Sequence, residues 1–147
     1  MNKCKYISII LLFLISCTKT ETVPIYDYYK NIPIIRGWTS DIEEKNYMIE
    51  VVLVYRENNT DLQTRINQLK PLLIDALRRY FSSLREIDFS FENQGKIKKE
   101  AVEILNEIVL ESMIPKKADK IRQIKDLEEK DLLLDINIMQ LQIFNLN

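Results

Sequence analysis

The sequence contains no histidine, which removes the commonest general base and the commonest ligand of transition metals. Gly37 and Gly95 are its only glycines, so a glycine-rich phosphate loop cannot be built. Both cysteines, Cys4 and Cys17, lie within the first 17 residues; beyond them no thiol remains for catalysis, a metal or a disulfide. A dominant charge of either sign is missing as well. Lysine and arginine number 21 against 22 aspartates and glutamates, and the basic footprint of a nucleic-acid binder is absent. The acidic pairs Glu43-Glu44 and Glu128-Glu129 are neighbours in sequence, the pattern of a solvated segment rather than of an acid and a base facing one substrate. No catalytic, cofactor-binding or metal-ligating residue stands out. The chain is read as non-enzymatic, with no cofactor and no nucleic-acid partner.

What the sequence does hold begins with Lys3 and Lys5, followed by a nearly unbroken apolar run from Tyr6 to Ile15. As a helix, about ten residues reach about 15 Å, half of a ~30 Å hydrocarbon core. The run therefore reads as the apolar part of a signal peptide rather than as a membrane span. It leads into Leu14-Ile15-Ser16-Cys17, which resembles the lipobox of bacterial lipoproteins, in which the cysteine is acylated and becomes the new N-terminus. Residues 1–16 are thus expected to be a lipoprotein signal peptide, Cys17 the lipidated, palmitate-type site, and residues 17–33 a lipidated tether. Loss of Lys3 and Lys5 with the leader leaves 19 of the 21 basic residues against 22 acidic ones, a mature balance of −3. Thr18 to Asn31 is polar, rich in threonine and tyrosine, and shows no helical or strand period. Tyr26, Tyr28 and Tyr29 suit either the lipid-headgroup boundary, which phenol rings favour, or packing on the folded domain.

Residues 34–147 form the expected domain, and a chain with 46% hydrophobic and 29% charged residues has enough apolar material there for one modest core. Ile34 to Ser40 is short and compatible with a strand, and Asp41 to Asn46 is a polar break. Tyr47, Ile49, Val51, Leu53 and Tyr55 then alternate, which predicts a strand with one buried face and an antiparallel hairpin. Asn58-Asn59-Thr60-Asp61 ends that strand and offers helix N-cap residues. Leu62, Ile66, Leu69, Leu73, Leu77, Tyr80 and Leu84 recur at three- and four-residue spacing, the apolar stripe of a long helix. Pro71 lies within that stripe, where it is expected to kink the helix or start a second segment. Arg65, Lys70, Arg78 and Arg79 fall on the opposite face and read as solvated. A second helix follows from near Gln94, with Ile97, Ala101, Ile104, Leu105, Ile108 and Val109 as its stripe and Pro115 as its end. Lys116 to Asp131 is dense in mixed charge and leaves a surface helix or an ordered loop open. In the last element, Leu134, Ile136 and Ile138 change phase to Leu141 and Ile143, which predicts a β-bulge near Gln140. The order is β-β-α-α-β. Helices over one face of a small antiparallel or mixed sheet give an α+β fold.

The strand Asn46 to Tyr55, the helix from Arg65 to Leu77 with Pro71 inside it, and Tyr80-Phe81-Ser82-Ser83 together resemble the periplasmic domain of the flagellar basal-body FliL family. So do the helix start Gly95-Lys96-Ile97-Lys98-Lys99-Glu100, the segment Leu105-Asn106-Glu107-Ile108 and the closing strand Leu134 to Ile143. The likeness runs over about residues 34–144. Family members are held in the inner membrane by a transmembrane helix, whereas this chain carries a lipobox, which implies a lipid-anchored relative of the kind expected in spirochaetes with periplasmic flagella. The resemblance implies a domain similar to the stomatin and prohibitin scaffold. It also implies self-assembly of like copies into rings, homo-oligomers around or beside the periplasmic linker of the flagellar stator, and support of torque and motility. The expected location is a membrane facing the periplasm, the inner membrane ahead of the outer membrane or cell surface. The alternative is a surface or outer-membrane lipoprotein that binds an extracellular ligand or assists envelope assembly.

Overall fold

A computed structural model describes residues 25–113 and 132–145. Its sheet is organised by one strand. The alternating segment forms β3 (Asn46–Arg56), and Tyr47, Ile49, Val51, Leu53 and Tyr55 are all buried on one face, as the alternation predicts. Val52 and Val54 on the other face are also buried, because β3 has neighbours along both of its edges. One edge pairs antiparallel with β4 (Asp135–Phe144), from Asn46 opposite Phe144 to Val54 opposite Asp135. The other edge is shared. β1 (Tyr26–Tyr29) pairs with Leu53 to Arg56, and β2 (Ile35–Trp38) pairs with Asn46 to Ile49, both antiparallel. β1 and β2 are thus two halves of one interrupted edge strand. Residues 30–34 stand opposite the shorter stretch 50–52, and this break contains Pro33, which has no N–H to give to a ladder.

One difference from the sequence reading concerns this sheet. Tyr26–Tyr29, read as part of a polar tether, is a strand. Its edge position, with Tyr29 as its one buried residue, leaves too little alternation for a period to register. The bulge expected near Gln140 is present: Glu50 pairs with Gln140 and Val51 with Ile138, which leaves Met139 unpaired.

The left-handed Asn58 (φ 62°) turns the chain out of β3, a conformation asparagine tolerates better than most residues. Asn59 then caps α1 (Thr60–Ser82), its side-chain oxygen accepting the Leu62 N–H at 2.9 Å. Despite Pro71, α1 is a single helix. Pro71 is exposed, so the carbonyl it leaves without a helical donor lies where water can reach it. Two short 3-10 turns, Glu86–Phe89 and Phe91–Asn93, lead into α2 (Gln94–Met113). Both helices cover the same sheet face. Leu62, Ile66, Leu73, Leu77 and Phe81 of α1 and Ile97, Ala101, Leu105 and Val109 of α2 join Tyr29, Ile35, the inward residues of β3 and Ile136 in one core. The arrangement is α+β, a small antiparallel sheet with two helices. The signal segment, Cys17 and the Lys116 to Asp131 stretch lie outside the described residues.

Candidate interaction surface

Polar side chains at the joints fix how the helices sit on the sheet. Tyr29 donates to Asn67 Oδ1 at 2.7 Å, tying β1 to α1. Tyr47 Oη, at the β3–α1 contact, lies 3.0 Å from the Arg78 carbonyl oxygen, to which it donates, and 2.8 Å from Ser82 Oγ. Tyr80 donates to Glu100 Oε2 at 2.8 Å, joining α1 to α2. Burial raises the pKa of Tyr29 and Tyr47; for Tyr80, burial and then the Glu100 carboxylate push the phenol well above its ordinary range. Asn106 forms a two-bond amide clasp just before β4, its Nδ2 donating to the Leu133 carbonyl and its Oδ1 accepting the Leu133 N–H, both at 2.9 Å. Lys98 reaches Asp135 at 3.2 Å. Arg65 departs from the fully solvated reading: its guanidinium donates to Ser112 Oγ at 3.2 Å and to the Ser112 carbonyl at 3.3 Å, placing a cation at the C-terminal end of α2, where the helix dipole favours it. The hairpin between β2 and β3 is pinned by Asp41, which accepts the Glu86 N–H at 2.7 Å, and by the Lys45–Glu86 ion pair. Hydrogen bonding from the Glu86 N–H, then from Thr39, lowers the Asp41 pKa.

The helix-free face of the sheet is different in character. Register places Tyr26, Tyr28, Trp38, Val54, Arg36, Arg56 and Phe144 on that side. Trp38 (43%), Tyr28 (52%), Tyr26 (42%) and Phe144 (42%) are substantially exposed, more aromatic surface than a solvated sheet face needs. A groove of about 600 Å³ runs across β1, β3 and β4, lined by Tyr26, Tyr28, Val54, Arg56, Leu134, Asp135 and Asn137. Small Val54 forms its floor between larger neighbours. Such a surface acts by contact, through aromatic and apolar area with an arginine and a carboxylate at its rim.

Among the described residues no group of three or more metal-ligating side chains converges, and no helix is long and apolar enough to cross a membrane. Glu43 and Glu44 are exposed in the β2–β3 turn. Of the three tyrosines considered at the tether, Tyr29 packs into the core while Tyr26 and Tyr28 remain exposed on the open face. Trp38 and Phe144 join Tyr26 and Tyr28 on this face through the register between strands, which the alternation of β3 alone does not reveal.

Fold and surface together define a small α+β domain with one helix-covered face and one aromatic open face. No family model matches the chain. It is similar to the flagellar protein FliL of Borreliella burgdorferi, 31% identical over 86 residues that make up 58% of this chain and 47% of that protein. The matched region is thus about half the length of that curated relative, and the likeness supports the FliL-like resemblance drawn from the residues.

Proposed function

We propose that this protein is a non-enzymatic accessory of the flagellar motor, anchored by lipid at Cys17 to a membrane facing the periplasm and self-associating beside the stator to support torque. The observation that carries the proposal is the 31% identity to a flagellar protein FliL. The surface chemistry agrees with it, since an exposed aromatic face suits a role exercised by contact. Under this reading the lipid takes the place of a transmembrane helix and confines the domain to a plane, where effective concentration rises and weak lateral contacts suffice for assembly. A deletion strain should assemble flagella yet swim poorly, most of all in viscous medium, and cross-linking in cells should recover the periplasmic linker of the stator. Normal swimming under load, with no stator cross-link, would sink the motor role and favour a lipoprotein that acts elsewhere in the envelope.

A further inference from the structure

The two edges of the sheet are built differently. The β1/β2 edge has two four-residue strands interrupted around Pro33, with Asp27, Lys30 and Arg36 along it. Short strands, proline and charge are the devices that stop an edge from pairing with another chain. β4 has almost none of them. It is ten residues long, and from Ile136 to Asn145 there is no charged residue, no proline and no glycine. Its one irregularity is the bulge at Met139. Among the described residues β4 pairs with β3 alone, and no other strand lies along its far edge. Burial falls off along the same strand: Ile136 is fully buried, whereas Ile138, Leu141 and Ile143, on the helix-facing side, are only partly covered.

We infer that β4 pairs edge to edge and antiparallel with β4 of a second copy, extending the sheet across a twofold axis. The inference rests on the self-association proposed above and names its surface. A second copy fits for three reasons. Its β4 brings an equally uncharged segment, so no charge is buried unpaired. The interrupted, charged β1/β2 edge is a poor strand partner, which leaves β4 to meet β4 in the self-complementary geometry of a twofold contact. The alternation also matches itself. With Gln142 on the axis, Leu141 stands opposite the second copy's Ile143 on the helix-facing side. Gln142 then faces its own counterpart on the open side, and Gln140 faces Phe144. Apolar residues meet apolar ones over the core, and glutamine side chains can bond to each other outside it. A register one residue away would place glutamine against the core side chains.

The register gives a charge-swap test on the full-length chain. Two differently tagged copies are co-expressed, extracted from membranes in detergent, and one tag is used to recover the other. Gln142 is exposed, so Gln142→Lys and Gln142→Glu leave the core untouched, which thermal melts of each variant check. Wild type should recover wild type. Lys with Lys and Glu with Glu should lose recovery several-fold, because like charges would stand directly opposite, and Lys with Glu should restore it. Wild-type recovery that every charge combination leaves unchanged would overturn the β4 edge while self-association stands. No wild-type recovery would overturn both. Recovery of a different protein in place of the second copy, lost in Gln142→Lys, would overturn the choice of occupant.

Discussion

The Tyr47 hydroxyl stands where β2, β3 and α1 meet, and it leaves no room beside it. A Cβ on Gly37, its partner across the β2–β3 ladder, would overlap that phenol and lie 2.8 Å from Ser82 Oγ. Gly37 is therefore a close-approach glycine, with no positive φ to explain it. Gly37→Ala should destabilise the domain by about 1–3 kcal/mol, as overpacking in a filled core does. Gly95 has nothing within 4 Å of the same position, so Gly95→Ala in α2 should be neutral or stabilise by about 0.4–1 kcal/mol. Urea melts of the two variants with equal midpoints would refute the distinction. Titrating side chains give a second residue-level prediction, with opposite signs at the two ends of the pH scale. Asp41 has a lowered folded pKa, so its contribution is present above the unfolded carboxylate value and is lost as pH falls through the folded one. The melting temperature of Asp41→Asn should therefore fall less on acidification than that of the wild type. Tyr80 has a raised folded pKa; its contribution is complete below the unfolded phenol value near 10 and is lost as pH rises towards the folded one. Phenolate absorbance should show tyrosines ionising later in the folded protein than in urea, with Tyr80→Phe removing part of that delay. A delay of the same size in Tyr80→Phe would show that other phenols account for it.

Among the elements, α1 shows most clearly how much packing can be read from spacing. Leu73 and Leu77 are fully buried, so truncating either to alanine should cost about 2–5 kcal/mol. Arg78 and Arg79 are exposed, and Arg79 only meets Asp75 in a surface pair one turn back; their alanine variants should stay within about 0.5 kcal/mol of wild type. Denaturant midpoints ranked the other way would mean that the helix presents a different face to the sheet. The stripe was legible because leucines at helical spacing mark one side. It also ran slightly off centre: Leu69 and Tyr80 are only partly covered, while Ala76 and Phe81 are buried. Phe81 sits deeper because it meets Tyr47 edge-on at a ring-centroid distance of 6.3 Å, a contact that spacing within one helix does not reveal. β3 was legible for the same reason as α1, and so was the phase change in β4, since each shows on a single strand. β1 was not, because a short edge strand takes its identity from the pairing of Tyr26 with Arg56 and Tyr29 with Leu53. Nor was the aromatic open face: a two-residue period says that a strand has two sides, but the register between strands decides that Tyr28, Val54 and Asp135 rise together.

For the whole molecule, the question is how close the domain sits to the membrane it is proposed to serve. β1 begins at Tyr26, and a chain extends at most about 3.3–3.6 Å per residue. Anchored at Cys17, the fold would start no more than roughly 30 Å from the lipid, by the same reach. Under that proposal the exposed Tyr26 and Tyr28 would stand on the strand nearest the anchor in sequence. Among the described residues, the core draws on side chains from Tyr29 to Ile136. Anchoring and folding should therefore separate cleanly. Cys17→Ala should abolish labelling by a fatty-acid analogue and either free the protein from the membrane or stop its processing. The domain of any released protein should keep the urea midpoint of the wild type. Motility under viscous load should fall with the anchor even though the fold persists, because the plane that concentrates the copies is gone. Undiminished fatty-acid labelling of Cys17→Ala would refute lipidation at that residue. A lost label with full motility would instead separate the anchor from the motor role.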